Sequence, residues 1–243
     1  MTLLTMLEEL IKVKTLSEDH KTCLDTLKKV QPQIPNSMLD VNSGVLVWGH
    51  TDLGTTSWLI NTHLDVVPGL PEQFSLSIKG DKAWGRGVAD VKGCVAIIID
   101  QAKAWNELAI KSRVTFMLVT DEEVGGQSTK DLLTKMPNLK GAIFLEPSGL
   151  HLTTQAKGMM QVQIVASGIS CHGSRPWDGK NAIEELSFGI TQFRLAHPSP
   201  CQETKDTTFN FSQITGGTAI NQVPNIAEVW CDIRFNPKDD PGN

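Results

Sequence analysis

Three short apolar segments of the sequence each run directly into a histidine or an acidic residue, and this pattern constrains the fold most strongly. The segments and the residues that follow them are Trp58–Thr62 with His63 and Asp65, Arg113–Thr120 with Glu122 and Glu123, and Ala142–Leu145 with Glu146. Apolar and β-branched runs of this length, bounded by turn residues, are typical of buried strands. Because ligands bind at the carboxyl ends of strands in an open α/β sheet, these side chains are expected to meet in one crevice.

A glycine-rich turn supplies a further carboxylate. The turn Gly85-Arg-Gly-Val-Ala-Asp90-Val-Lys-Gly93 precedes a predicted helix that runs from Cys94 to about Leu108. Its spacing does not fit a nucleotide-phosphate loop, because a dinucleotide fingerprint needs glycine where Asp90 stands and a P-loop needs Gly-Lys-Ser/Thr. A carboxylate at this place would also repel phosphate. The glycines are better explained as residues that let the backbone turn so that Asp90 points into a site.

Metal binding is the chemistry that this set of residues favours. A single histidine at a strand end, or a pair of acids after a strand, is usually a structural or solvated feature, but the recurrence at four places favours a shared site. Histidine and carboxylates without cysteine suit Zn²⁺, Mn²⁺ or Co²⁺ in a hydrolytic centre. Asp65 is close enough to His63 along the chain to fix the orientation of the imidazole as a carboxylate partner.

The charge of the chain argues against two classes of partner. Its 243 residues carry a formal net charge of −5 at pH 7, whereas a sequence-independent nucleic-acid binder needs a basic face. The 22 lysines and arginines are dispersed along the sequence, which also disfavours an anionic membrane surface. We therefore expect neither nucleic acid nor a membrane as a partner.

Cysteine usage and the first helix indicate a cytoplasmic location. The five cysteines are far apart and form no Cys-x-x-Cys pair, which suits a reducing compartment. Residues 1–14 carry apolar side chains at helical spacing together with Glu8 and Glu9, unlike a signal peptide. The longest apolar run, Cys94–Ile99, is too short to span a bilayer.

The order of the predicted elements indicates two domains. Residues 1–150 combine apolar strands with helices, among them two helices in residues 1–30 with Ser17 as the N-cap of the second, and a short strand at Phe74–Ile78. From Gly158 the pattern changes to a half-exposed strand, a helix over Asn181–His197 and two further strands. We predict an α/β domain at 1–150, with a mixed, mostly parallel sheet and flanking helices, and a smaller α+β domain at 151–243.

Five motifs extend the pattern beyond the strand ends. They are Asn61-Thr-His63-Leu-Asp65-Val-Val-Pro68, Gly85-Arg-Gly-Val-Ala-Asp90-Val-Lys-Gly93, Thr120-Asp-Glu122-Glu123, Leu145-Glu146-Pro147-Ser148, and His172-Gly-Ser-Arg-Pro176 with Asn181-Ala-Ile. In this order the set resembles the metallopeptidase and deacylase family of acetylornithine deacetylase, succinyl-diaminopimelate desuccinylase, aminoacylase and the glutamate carboxypeptidases. The resemblance covers residues from about 55 to 235 and implies a zinc-peptidase-like catalytic domain followed by a lid and dimerisation domain.

The resemblance implies a site for two divalent metal ions, most often zinc, with cobalt or manganese as alternatives. Asp90 would bridge the two ions, His63 and Glu146 would complete one site, and Glu123 would bind the other. Asp65 would orient His63. Glu122 would be the general base on a metal-bound water and would pass its proton to the leaving amine.

The resemblance also implies roles for the second domain. His172 matches a family histidine that reaches into the partner subunit's site and donates to the developing oxyanion. Arg234 and Asn221 match groups that hold the substrate carboxylate and backbone, and the planar guanidinium of arginine suits a carboxylate. A loop histidine and a solvated strand arginine are the structural alternatives. The implied assembly is a homodimer formed through residues 151–243.

One family feature has no counterpart in the sequence. The family's last metal ligand is a histidine beyond the lid, in a segment that completes the catalytic sheet, and no remaining histidine has that context. From the resemblance we expect both domains to be incomplete at the C-terminus, the second metal site to lack one ligand, and activity to be weak.

The function implied by the resemblance is removal of an N-acyl group from an amino acid by a metal-dependent amidohydrolase. A carboxypeptidase or dipeptidase that uses the same metals on a peptide bond is the alternative within the family. A non-catalytic metal-binding or dimerisation homologue is the alternative from another class. Glu122 argues against it, because a purely structural fold has little use for a second carboxylate beside Glu123.

Overall fold

The structure, a computed structural model, describes residues 2–107 and 113–239. The chain divides into two compact units, Met1–His151 and Leu152–Asn243. The predicted division into a catalytic domain and a lid and dimerisation domain assigns functions to these regions and stays a prediction. The end of the predicted helix at Leu108 lies outside the described residues.

The first unit contains four α-helices and seven strands within the described residues. The helices are α1 (Leu3–Lys12), α2 (His20–Val30), α3 (Gly93–Glu107) and α4 (Gln127–Leu133). The strands are β1 (Met38–Asp40), β2 (Val45–Gly49), β3 (Trp58–His63), β4 (Ser77–Lys79), β5 (Lys82–Trp84), β6 (Val114–Val119) and β7 (Gly141–Phe144).

Five of these strands form one mixed sheet in the order β1-β2-β6-β3-β7. The β1–β2 and β2–β6 pairs are antiparallel, whereas β3 is parallel to both β6 and β7. In the register of the parallel pair, His63 lies opposite Val119. The carboxyl ends of β6, β3 and β7 therefore lie side by side, as the sequence pattern predicts.

Alternating side chains cover the two faces of this sheet with separate apolar cores. On β6, Phe116 and Leu118 face a core shared with α1, α2 and α3, whereas Met117 and Val119 face a core shared with α4. The alternation follows from the two-residue period of a strand. Both faces are covered by helices, and β2 is buried from Val45 to Trp48 and β6 from Thr115 to Val119. This confirms the predicted α/β class.

The second helix is capped by a residue other than the predicted one. The side chain of Asp19 accepts from the backbone N–H of Thr22 at 3.0 Å and so caps α2. Ser17, the predicted N-cap, lies two residues earlier and donates its hydroxyl to Asp65. The prediction that Ser17 caps the helix is wrong because this serine is engaged in a tertiary contact that local sequence does not reveal.

A fully buried lysine ties α1 to the turn that carries Asp90. Lys92 is 0% exposed, and its Nζ donates to the carbonyl oxygens of Leu10 at 2.9 Å and Val13 at 2.7 Å. The last carbonyls of a helix lack partners within the helix, and a cation at this end is also favoured by the helix dipole. Burial lowers the pKa of Lys92 to about 8, so the ammonium remains the main form at neutral pH.

A Lys92→Met variant is expected to lower the free energy of unfolding by about 1–3 kcal/mol, because buried carbonyl oxygens lose their donor while the side-chain volume is kept. Chemical denaturation of the metal-free protein measures this change. Lys12→Met is the matched control, since Lys12 lies at the same helix end but is half exposed and pairs with the exposed Glu8 and Glu9. Equal destabilisation by both substitutions would contradict the role given to Lys92.

The pH dependence of the free energy of unfolding, compared between the wild type and Lys92→Met, provides a second readout. The pKa of Lys92 is about 8 in the folded protein, against an ordinary value of 10.5. Between these values the unfolded chain holds more protons than the folded chain, so this group makes the free energy of unfolding rise with pH. Lys92→Met lacks this contribution, and its stability is expected to fall further behind the wild type from about pH 8 to 10.5.

Over residues 152–239, the second unit is a three-stranded antiparallel sheet with one long helix. Its strands are β8 (Gly158–Ser167), β9 (Thr208–Gly216) and β10 (Ile226–Phe235), in the order β8-β10-β9, and its helix is α5 (Ala182–Ala196). Leu186 of α5 packs against Ala227 and Val229 of the central strand. This arrangement is the smaller α+β part that the sequence predicts.

Membrane-spanning helices are not found among the described residues. The longest helices there, α3 and α5, have 15 residues each, whereas crossing a bilayer takes about 20 predominantly apolar residues. None of the helices in residues 2–107 and 113–239 has the length and apolar character that a span requires.

Candidate metal centre

His63 lies at the last position of β3 and forms the centre of the site. Its side chain is 1% exposed. The ring atom Nδ1 lies 3.0 Å from the backbone carbonyl oxygen of Asp65 and 3.4 Å from its Oδ1. Because a carbonyl oxygen can only accept, Nδ1 carries a proton, which in a neutral imidazole leaves the lone pair on Nε2 free to bind a metal.

Carboxylates from three other segments surround Nε2 of His63. Asp90 Oδ1 lies 3.1 Å from this nitrogen, Glu146 Oε1 lies 3.8 Å away and Glu122 Oε2 lies 3.9 Å away. These three acidic side chains are 42–52% exposed, so the histidine is buried while the carboxylates are open to an ion or a substrate. The potential ligand atoms form two sets, and within each set all atoms lie within 4.8 Å of one another. One set is His63 with Glu122 and Glu146, and the other is His63 with Asp90 and Glu123.

Asp90 is brought into the site by the glycine turn. Gly87 has φ +84°, a conformation that favours glycine, and a Cβ there would meet Val66 Cγ1 at 2.9 Å. The backbone N–H of Lys92 donates to the carbonyl oxygen of Gly87, which closes the turn around Asp90. The peptide bond between Asp90 and Val91 is cis. Backbone geometry thus requires glycine at position 87, as the sequence pattern predicts.

The two glutamates are held by a buried carboxylate. Glu122 and Glu123 start a short 3₁₀ turn directly after β6. The backbone N–H of Glu122 donates to Asp65 Oδ1 at 3.2 Å, and that of Glu123 donates to Asp65 Oδ2 at 3.1 Å. Asp65 is completely buried. It therefore connects the end of β3 with the end of β6 through direct hydrogen bonds.

Glu146 follows β7 and is positioned by a continuation of the strand pairing. The backbone N–H of Leu145 donates to the carbonyl oxygen of Asn61 at 2.9 Å, one residue beyond the named strand. The backbone N–H of Ser148 then donates to the carbonyl oxygen of Glu146 at 2.8 Å. The strand thus delivers Glu146 to the side of His63, and the chain turns immediately afterwards.

The electrostatics of the cluster favour a bound cation. Burial raises the pKa of Glu122 and of Glu123, and neighbouring carboxylates raise both further. Burial lowers the pKa of His63, but the neighbouring carboxylates of Asp65 and Glu146 outweigh this and raise it to about 11. Like charges at this spacing disfavour the ionised form of each acid unless positive charge is present.

The donor set fits a divalent metal ion. Oxygen and imidazole nitrogen donors without thiolates suit Zn²⁺, Mn²⁺ or Co²⁺. Within residues 2–107 and 113–239, no lysine or arginine forms an ion pair with the acids around His63, namely Asp90, Glu122, Glu123 and Glu146. Positive charge therefore has to come from the imidazolium or from a metal, and a metal can replace the proton on Nε2.

The predicted site residues of the first unit all meet at this place. The spatial sets differ from the predicted roles in two respects, because Glu122, the predicted base, groups with His63 and Glu146, and His63 also groups with Asp90 and Glu123. Glu122 lies 3.9 Å from His63 Nε2 and Glu146, a predicted ligand, lies 3.8 Å away. Distances among free side chains do not separate a ligand from a base, so the individual roles stay predictions. Ser17, which donates to Asp65 Oδ2 at 2.8 Å, is a contact that sequence reasoning missed.

The predicted residues of the second unit fall in two places. His172 forms an isolated antiparallel bridge with Gln222, and its Nδ1 lies 2.8 Å from Ser174 Oγ. Asn221 is its neighbour, since its carbonyl oxygen accepts from the N–H of Gly173. Arg234 lies on β10 and donates from Nε to Asp232 Oδ2 at 2.8 Å. Among the described residues no hydrogen bond or ion pair joins Arg234 to His172 or Asn221.

Comparison with known proteins identifies the family. A model of the peptidase dimerisation domain of M20 proteins matches residues 154–243. A probable carboxypeptidase of Aspergillus terreus is 30% identical over 73% of this chain and 44% of its own length. The acetylornithine deacetylase of Proteus mirabilis is 30% identical over 76% of this chain and 51% of its own length.

A solved structure supports the same relationship at the level of the fold. The M20 family metallo-carboxypeptidase of Sulfolobus solfataricus matches with a TM-score of 0.76 and 18% identity, over 100% of this chain and 73% of that chain. The chain spans about half the length of the curated relatives described above. The dimerisation-domain match, the related deacetylase and carboxypeptidase sequences and the shared fold together show that the chain belongs to the M20 peptidase family.

Proposed function

We propose that the protein is a metal-dependent amidohydrolase that removes an N-acyl group from an amino acid. The single observation that carries this proposal is a buried histidine whose Nε2 is surrounded by carboxylates from three separate segments. Membership of the M20 family supports a hydrolytic metal site, and relatives at about 30% identity include both deacetylases and carboxypeptidases.

Four side chains would hold the metal ions. We assign His63, Asp90 and Glu146 to one ion, and Asp90 with Glu123 to the other. When bound, such ions polarise a substrate carbonyl and lower the pKa of water. His63 Nε2 is available to bind a metal ion because Nδ1 is engaged with the backbone of Asp65.

Glu122 would act as the general base. It would accept a proton on a carboxylate oxygen as water attacks the carbonyl carbon, and return that proton to the amine nitrogen as the C–N bond breaks. Burial and neighbouring acids raise the pKa of this carboxyl, which makes it a better proton acceptor than an ordinary glutamate. Its 45% exposure leaves the carboxylate accessible to water and substrate.

Residues of the second unit would bind substrate and a second subunit. We assign Arg234 and Asn221 to the substrate's carboxylate and backbone, and His172 to the developing oxyanion. The match of residues 154–243 to a peptidase dimerisation domain supports a homodimer. In such an assembly, His172 would act in the partner subunit's site.

A carboxypeptidase or dipeptidase is the second candidate. The Aspergillus terreus relative is described as a probable carboxypeptidase, and the same His63 and Glu122 chemistry would cleave a peptide bond. The two candidates differ only in the group on the carbonyl side of the scissile bond.

Hydrolysis assays would test the proposal. The chain, loaded with Zn²⁺ or Co²⁺, is compared on N-acetyl and N-succinyl amino acids and on dipeptides with the same C-terminal residue. We expect N-acyl amino acids to be cleaved with a kcat/KM about tenfold higher or more, a difference of about 1.4 kcal/mol in transition-state binding. Chelator-treated protein is the control.

Two results would contradict this assignment. A preference for dipeptides would favour the carboxypeptidase alternative. Absence of turnover on every substrate, with metal bound, would favour a non-catalytic homologue.

A further inference from the structure

The short segment between α1 and α2 runs alongside the strand end that carries the metal centre. Leu16 forms a parallel bridge with Val66, and the backbone N–H of Val66 donates to the carbonyl oxygen of Thr15 at 2.9 Å. The buried hydroxyl of Thr15 donates to the carbonyl oxygen of Leu64 at 2.8 Å. These bonds fix the segment against the backbone on both sides of Asp65.

Ser17 is the residue of this segment that contacts the Asp65 side chain. Its hydroxyl donates to Asp65 Oδ2 at 2.8 Å. The same oxygen accepts from the backbone N–H of Glu123, and the other oxygen, Oδ1, accepts from that of Glu122 and lies 3.4 Å from His63 Nδ1. Ser17 is thus the one side-chain hydroxyl among the described residues that helps to hold this carboxylate.

We propose that Ser17 is a positioning residue of the metal centre. The inference rests on the proposed function, because it concerns how this chain prepares its ligands for a metal. Asp65 touches His63 and both glutamates, so its carboxylate plane sets the geometry of three site residues at once. Without the serine, Oδ2 keeps a single donor among the described residues, so the carboxylate plane is less constrained and the Glu122–Glu123 turn that it holds is loosened.

The alternative is that Ser17 only attaches the segment between the helices to the sheet. Thr15 performs that attachment as well, because its hydroxyl bonds to the backbone of Leu64 and, among the described residues, it forms no hydrogen bond with a site residue. Thr15→Val therefore removes a hydroxyl of the same segment without touching Asp65 and is the matched control. Ser17→Thr retains a hydroxyl and tests for rescue.

The experiment compares the wild type with Ser17→Ala, Ser17→Thr and Thr15→Val by two readouts of the site and one measurement of stability. Amide hydrogen exchange of residues 121–125 is measured in the metal-free protein. Affinity for Zn²⁺ is measured by competition with a chelating dye, and thermal unfolding reports overall stability. Loss of a residue that orients metal ligands typically weakens metal binding by about 10- to 100-fold.

We expect Ser17→Ala to speed exchange at residues 121–125 and to weaken Zn²⁺ binding about tenfold, with both effects largely reversed in Ser17→Thr. Thr15→Val should lower thermal stability and leave both readouts near the wild-type values. Exchange unchanged in Ser17→Ala, or Zn²⁺ affinity within about twofold of the wild type, would overturn the proposal. If the wild type itself binds no Zn²⁺, the proposed function fails, while the exchange data still decide whether Ser17 positions the turn.

Discussion

Replacing Glu122 with glutamine is expected to lower the hydrolytic rate by about 10²- to 10⁴-fold, the usual contribution of a general base. Glutamine keeps the size of the side chain and an oxygen atom but cannot accept the proton of the attacking water. If Glu122 is the base, Zn²⁺ should still bind with little change in affinity. The measurements are kcat on the best N-acyl amino acid and metal content of the same sample.

The Glu122→Gln variant also distinguishes the two roles open to Glu122, general base and metal ligand. Glu122 Oε2 is 3.9 Å from His63 Nε2 and belongs to one of the two sets of potential metal ligands. A loss of bound metal in Glu122→Gln would contradict its assignment as base and make it a ligand. Glu9→Gln, an exposed change of the same kind on α1, should leave both activity and metal content as in the wild type.

Replacing His63 with alanine is expected to remove the metal ion assigned to His63, Asp90 and Glu146. His63 is the nitrogen donor assigned to this ion and, among the described residues, belongs to both sets of potential ligand atoms, so its loss removes a ligand of that ion. Since changes at residues that only orient ligands weaken binding about 10- to 100-fold, loss of a ligand itself should exceed the upper end of that range. The measurement is metal stoichiometry by elemental analysis of protein purified without chelator.

The matched control for this change is His50→Ala. His50 lies in the turn after β2 and contacts Thr55 Oγ1 at 2.7 Å, away from the carboxylates. Wild type and His50→Ala should carry equal metal, near one equivalent if the second site lacks a ligand and near two if it is complete. Equal metal content in His63→Ala would contradict the site, and no metal in a well-folded wild type would leave the enzymatic proposal to resemblance alone.

The buried strands of the first unit could be predicted from sequence because they consist largely of apolar and β-branched residues. β3 ends at His63 and β6 at Val119, close to where the apolar runs stop. By contrast, the strand predicted at Phe74–Ile78 is wrong in extent, because Pro71–Phe74 forms a 3₁₀ turn and the observed strand is β4, which pairs with β5. Ser77 and Lys79 of β4 are exposed, so the hairpin has no apolar period by which it could be recognised.

The parts of the site that escaped prediction depend on contacts between distant segments. Ser17 and Asp65 are 48 positions apart, and Glu122 and Asp65 are 57 apart. From the sequence, the hydroxyl of Ser17 could equally well cap the second helix. The fold shows that Asp19 is the residue that caps it. Residue types and strand ends thus predict which side chains meet, whereas the hydrogen bonds that orient those side chains are visible only in the folded structure.

The long spacing of these contacts has a consequence for the order of events during biosynthesis. The chain must be made as far as Glu146 before every acid around His63 exists, and β7 must pair with β3 before Glu146 reaches the histidine. The backbone hydrogen bonds of helices α1 and α2 are local, so these helices can begin to form earlier, because closing long loops is slow. A metal ion could therefore bind at this candidate site only after the sheet has closed. It would then stabilise the folded state by mass action and would not direct the earlier steps of folding.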